Sequence, residues 1–315
     1  MSASWVAGTV RARALARRRL GAGGARALAA RPTLTDAVVA LADTPYGHDV
    51  RPGQDLAEAE HAVGAALLWN LRVLAGWLPR EGSAVLRVLA GWFELANVDD
   101  RLAELEGDDP AEPAYVLGAL ATAATRIASA GSPAAVTDVL ARPPWRVREA
   151  GTRSDLRVGA RLGWADATLA AVPEAGAWAR GGAALLLLAE LVAAGRPPAP
   201  TSAARVARLL GPHFLAAVPP GTTDLDRARA ALPREAGWVL DGIDTPAGLW
   251  RGEQLWWRRV ERDGFGLLGG TGFGRPPVVG AVAVLAADAR RVRAALEAAA
   301  QGGPAAREVF DAVSS

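Results

Sequence analysis

Apolar residues recur every three or four positions wherever the chain shows a clear pattern. Leu67, Leu71, Leu74 and Leu78 form one such stripe. Val85, Val88, Trp92, Leu95, Val98, Leu102 and Leu105 keep the same spacing, which at ~3.6 residues per turn predicts one helix of more than five turns with a single buried face. A third helix is expected over Ala183 to Ala194. A fourth runs from Val278 to Ala300 through Val279, Val282, Leu285, Ala289, Val292 and Leu296, with Pro276 and Pro277 before it and Gly302, Gly303 and Pro304 ending it. No sustained alternation of strand type competes with these patterns, so the expected fold class is all-α.

Breaker-rich segments at Gly107 to Pro113, Gly195 to Ser202, Pro219 to Asp224 and Gly264 to Pro277 are the candidate boundaries. Three of the apolar helices end at such breakers, near Gly107, Gly195 and Gly302. That rhythm suggests three related helical units, 1–107, 108–198 and 199–315.

Composition narrows the chemistry. The 315 residues are 51% hydrophobic and 22% charged, which suits a packed globule. All 35 basic side chains are Arg, and both Lys and Cys are absent. Without Lys there is no phosphate loop of the Walker type, and without Cys no disulfide, thiolate ligand or cysteine nucleophile. The formal charge of +2 gives no reason to expect a nucleic-acid partner. The longest apolar candidate for a membrane span, Ala183 to Leu191, is short. Arg11, Arg13 and Arg17 to Arg19 are not followed by an apolar core of signal length, so a cytoplasmic location is expected.

The remaining polar motifs favour structure over catalysis. His48, His61 and His213 are scattered and show no metal-ligand spacing, so no metal is expected. Gly269, Gly270, Gly272 and Gly274 do not follow the dinucleotide spacing and read as a helix connection, so no cofactor is expected. Ser129 lacks the flanking glycines of a nucleophile elbow. Asp224 and Asp226 follow a Pro-Pro-Gly break and read as helix-capping residues. Asp99-Asp100 and Asp108-Asp109 read as solvated faces and loops. The N-terminal Arg cluster is expected on a solvated helix face, in preference to a surface for nucleic acid or anionic lipid. Trp250, Trp256 and Trp257, interleaved with Arg251, Arg258, Arg259 and Arg262, are candidate interface anchors.

Phe273-Gly274-Arg275-Pro276-Pro277-Val278-Val279-Gly280, followed by Asp288-Ala289-Arg290-Arg291-Val292-Arg293, resembles the C-terminal signature of the C/d connector family of V/A-type rotary ATPases, found in archaeal and bacterial enzymes and related to a eukaryotic counterpart. Leu41 to Gly47, with Tyr46 and Gly47, is similar to that family's early loop. Glu94-Leu95-Ala96-Asn97-Val98 resembles its Asp-aliphatic-x-Asn-aliphatic helix, and Trp5 to Arg13 its N-terminal segment with Trp in place of Tyr. Arg291 stands where the family has Asn, Glu94 where it has Asp, and Asp99 where it has a basic residue; residues 110–175 do not align. The resemblance implies a funnel of three helical units, a socket joining the central-stalk subunits to the membrane proteolipid ring. It implies a rotor component with no reaction, metal or cofactor of its own, peripheral to the membrane and touching it only through the complex. Tyr46, Gly47, Glu94, Asn97, Phe273, Gly274, Pro277, Asp288, Arg290 and Arg293 are then the signature positions, structural or at an interface. The competing expectation is a generic all-helical cytoplasmic adaptor.

Overall fold

The computed structural model describes residues 3–108, 112–147 and 152–314. Asp109, half of one expected acidic pair, lies outside them. Among the described residues every regular element is a helix, as the periodicity requires. The chain begins with α1 (Val6–Arg17), α2 (Gly21–Ala29), α3 (Leu34–Ala42), α4 (Leu56–Ala75) and α5 (Arg80–Leu89). Then come α6 (Gly91–Leu105), α7 (Ala124–Ala128), α8 (Pro133–Leu140), α9 (Arg153–Ala171) and α10 (Gly176–Leu188). Short helices α11 (Ala203–Leu210), α12 (Phe214–Ala217), α13 (Leu225–Ala231) and α14 (Arg234–Gly237) lead to α15 (Trp250–Gly269), α16 (Arg275–Gln301) and α17 (Gly303–Ser314).

Two compact units emerge. The first joins Met1–Ala90, Pro110–Leu120 and Val260–Ser315; the second joins Gly91–Asp109 and Ala121–Arg259. This spatial division follows different lines from the sequential segments 1–107, 108–198 and 199–315, because the N-terminal helices pack with the C-terminal ones. In the first unit α16 is the central element, packed against α1, α2, α3, α4, α5 and α17. Its Val279, Val292 and Leu296 are wholly buried, and Val292 and Leu296 share a core with Leu41, Val50 and Val63. In the second unit α10 packs on α9, α11 and α14 around Leu187, Leu188, Leu209 and Phe214. A neighbouring core gathers α6, α7 and α8 around Leu102, Ile127 and Leu140.

The expected five-turn helix is two helices, broken at Ala90. A Cβ at Gly91 would stand 2.9 Å from the Trp164 ring, with Trp145 at 3.2 Å, so the backbone turns where indoles press against it. The buried face of α6 also differs from the expected stripe: Trp92, expected inside, is 51% exposed, while Phe93, Leu95 and Val98 are buried.

The Gly-rich segment also differs from expectation. Its first glycines continue α15 to Gly269, and the loop proper spans only 270–274. Gly264 and Gly280 explain this, because α15 and α16 cross with almost no side chains between them. A Cβ at Gly280 would lie 2.6 Å from the Gly264 carbonyl oxygen, and one at Gly264 2.9 Å from Ala283 Cβ. Pro276 and Pro277 occupy the first turn of α16, where no amide is required. Its end is set by Gly302 at φ 69°, after which α17 forms.

Local caps follow the sequence. Asp55 with Glu58, and Thr152 with Asp155, form capping boxes on α4 and α9, and Asp224 caps α13 by accepting from the Arg227 amide at 2.9 Å, as its motif suggests. One helical stretch, Pro173–Ala193, is long and apolar enough to cross a membrane, with a mean hydropathy of 1.3. Over half of it is buried, and it supplies the core of the second unit.

Candidate functional site: two buried carboxylates and an arginine-lined cleft

Helix α2 starts with Gly-Ala-Gly-Gly, a sequence about 1 kcal/mol per Gly poorer than Ala for helix formation, and no local side chain caps it. Its cap comes from the far end of the chain. Asp288, on the inward face of α16, is 1% exposed. Its Oδ1 accepts from the Gly21 amide at 2.7 Å and its Oδ2 from the Leu20 amide at 2.9 Å. The Tyr46 hydroxyl donates to the same Oδ2 at 2.9 Å. Three donors and the positive end of a helix thus replace the water lost by the carboxylate. Burial, and then the Asp288 charge, push the Tyr46 phenol well above its ordinary pKa, so its proton stays in this bond.

The second unit contains a similar arrangement. Glu94 on α6 is fully buried, and its Oε1 accepts from the Thr122 amide at 3.0 Å and the Ala123 amide at 2.6 Å. Ala123 precedes the first turn of α7, so this carboxylate also caps a helix from a distance. Its other oxygen, Oε2, makes no hydrogen bond among the described residues.

The signature positions therefore separate into different places. Tyr46 and Asp288 meet directly. Gly47 sits in the same loop, where a Cβ would lie 1.9 Å from the Ala42 carbonyl oxygen, so only glycine fits. Phe273 and Gly274 form a loop braced by α1: the Gly274 amide donates to Thr9 Oγ1 at 3.2 Å, and the Arg13 guanidinium lies 5.7 Å from the Phe273 ring centre. Arg13 also donates to the carbonyls of Leu268, Gly270 and Gly272, so it is a structural clamp and not part of a solvated face. Pro277 is buried, Arg290 is partly buried, and Arg293 pairs with Glu60 at 3.2 Å. Glu94 and Asn97 lie buried in the second unit.

The tryptophans divide as well. Trp250 is 57% exposed, with the Arg251 guanidinium 5.5 Å from its ring centre. Trp256 is partly buried and donates to the Trp178 carbonyl at 2.8 Å, and Trp257 donates to Glu253 at 3.3 Å. Only Trp250 among the three presents a largely free ring. Asp99, expected on a solvated face, instead pairs with Arg161 at 2.6 Å and Arg157 at 3.2 Å in a partly buried cluster.

A cleft of about 130 Å³ opens beside the Tyr46–Asp288 junction. Arg11, Arg18 and Arg19 line it on one side; Leu15, Leu67 and Val73 add apolar wall. Trp69 also lines it and stacks on His48, with ring centres 4.4 Å apart. Sequence reasoning missed this cleft because its arginines are close together in the chain while its other walls come from α4 and α16. Among the described residues no group of three or more His, Cys, Asp or Glu is placed to hold a metal ion.

The site and helices define the chain as an all-α protein built on buried carboxylate caps. Comparison with models of known protein families gives no match, and comparison with curated proteins gives none either.

Proposed function

We propose that this chain is a non-catalytic rotor component of a V/A-type ATPase, a socket between the central-stalk subunits and the membrane proteolipid ring during ATP-coupled proton or sodium transport. In this reading its helices form three similar units arranged as a funnel. It binds no cofactor, and it meets the membrane only through the complex. The observation that carries the reading is the bond between Tyr46 and Asp288. These residues belong to signature segments 242 positions apart and stand out by resemblance alone, yet they share one buried hydrogen bond. From the same segments, Gly47 sits where only glycine fits, and the Gly274 amide is held by Thr9. Residues that converge in this way support the ordered set of motifs as a unit. Trp250, with Arg251 against its ring, is the anchor offered to a partner, since exposed Trp and Arg commonly carry interface energy.

The test is copurification of this chain with stalk and ring subunits, followed by its deletion. The expected result is a stoichiometric complex, with ATP turnover by the catalytic head retained and ion movement uncoupled from it. Trp250→Ala should weaken docking of the folded chain at least tenfold, the size of a modest hot spot. Normal ion pumping without the chain, or recovery with neither stalk nor ring, would leave the generic helical adaptor as the better description.

A further inference from the structure

The arginines of the cleft are short of counter-charge. Arg11, Arg18 and Arg19 face it, yet none of them forms an ion pair among the described residues. The one carboxylate on its wall, Asp288, already has both oxygens occupied by the Leu20 and Gly21 amides and the Tyr46 hydroxyl. Arg11 Nε is buried without a hydrogen-bond partner among the described residues. Arg19 is held in place rather than swinging in solvent: it donates to the Ala16 carbonyl at 2.9 Å and lies 4.7 Å from the Phe265 ring centre. Three arginines and one carboxylate line the cleft, an excess of two positive charges along its walls, with the Arg19 guanidinium set to one side over Phe265.

We infer that this cleft binds a phosphate group. A phosphate monoester carries about −1.5 to −2 at neutral pH, which matches the excess, whereas a carboxylate would leave one guanidinium unneutralised. Guanidinium forks fit phosphate oxygens in bidentate fashion, and Arg11 Nε supplies a donor already removed from water. The cleft has room for a group of phosphate size. The leucine and valine side of the cleft, with Trp69, suits whatever the phosphate is esterified to. Two sources share this chemistry, free inorganic phosphate and the headgroup of a lipid such as phosphatidic acid. The inference is independent of the proposed rotor role.

The test uses the full chain. Inorganic phosphate is titrated calorimetrically against a chloride control of matched ionic strength, and in parallel the chain is floated with phosphatidylcholine vesicles with and without phosphatidic acid. Arg18→Gln removes an exposed side chain that has no partner among the described residues, so the variant should melt like the parent. It should bind about tenfold or more weakly, as expected for loss of a charge-assisted contact. Arg11→Gln should do the same, whereas Arg31→Gln, exposed and outside the cleft, should bind as the parent does. Binding in the titration identifies free phosphate as sufficient; binding only to phosphatidic-acid vesicles identifies the headgroup. The inference is overturned if neither probe binds more tightly than its control, or if Arg31→Gln weakens binding as much as Arg18→Gln does.

Discussion

Replacing Asp288 by Asn is the most direct probe of the junction beneath the cleft. The side chain keeps its size but one of two acceptor oxygens becomes an NH2 group. The parent carboxylate accepts three hydrogen bonds at 2.7 to 2.9 Å while 1% exposed. A hydrogen bond to a charged group contributes about 1.5–3 kcal/mol, and a buried donor left unpaired costs about 1–3 kcal/mol. The amide can serve one or two of the three donors without charge assistance and must oppose at least one of them. Asp288→Asn should therefore destabilise the first unit by about 2–4 kcal/mol, and Tyr46→Phe, which removes a single bond, by about 1–2 kcal/mol. The two effects should not add, because they share Oδ2. The phenol also sets an alkaline limit. Its folded pKa is raised by burial and then by Asp288, so the stability it contributes is complete below about pH 10 and lost as the pH climbs past the free tyrosine value. Tyr46→Phe should remove that alkaline loss. Hydrogen exchange at the Leu20 and Gly21 amides gives the local readout and chemical denaturation the global one. If Asp288→Asn leaves both amides as protected as in the parent, and the denaturation midpoint unmoved, the cap assignment is wrong.

Three further outcomes are expected. Val282→Asp places an unpaired charge on the buried face of α16, where Val282 is 9% exposed, and should cost several kcal/mol, so the first unit should fail to give cooperative unfolding by circular dichroism. Glu297 has a folded pKa raised by burial first and then by its hydrogen bond to Glu60 and that residue's charge. A raised carboxylate favours folding below the unfolded value and costs stability as the pH rises through the folded one, so Glu297→Gln should raise the melting temperature at pH 7 and not at pH 4. The side chain's exposure keeps that gain under about 1 kcal/mol. Gly280→Ala drives a methyl into the Gly264 backbone and should cost about 1–3 kcal/mol by separating the two helices, measurable as a lowered denaturation midpoint at unchanged slope.

Most of α16 is legible in the sequence because three independent signals agree there: a sustained 3.6-residue period, Pro276 and Pro277 at its start, and Gly302 after its end. The break at Ala90 is not legible, since the apolar period runs straight through it. At the break, Gly91 leaves room for the indoles of Trp145 and Trp164, which lie more than fifty residues away in sequence. The same limit applies to the candidate site. Glu94 and Asp288 stand out through their motifs, but their role as helix caps depends on backbone amides, which carry no mark in the sequence. Arg13 and Asp99 look like solvent-facing charges until the carbonyls and guanidiniums that hold them are in view. Local rules describe the charges correctly and cannot say who answers them.

The crossing at Gly264 and Gly280 has a mechanical consequence. Ordinary helix pairs are separated by a layer of side chains that can change rotamer and so yield under load. Here the two backbones touch, and a small axial or twisting displacement of one helix immediately drives peptide groups into the other. With no side-chain layer to rearrange, a displacement of α16 toward α15 meets backbone directly.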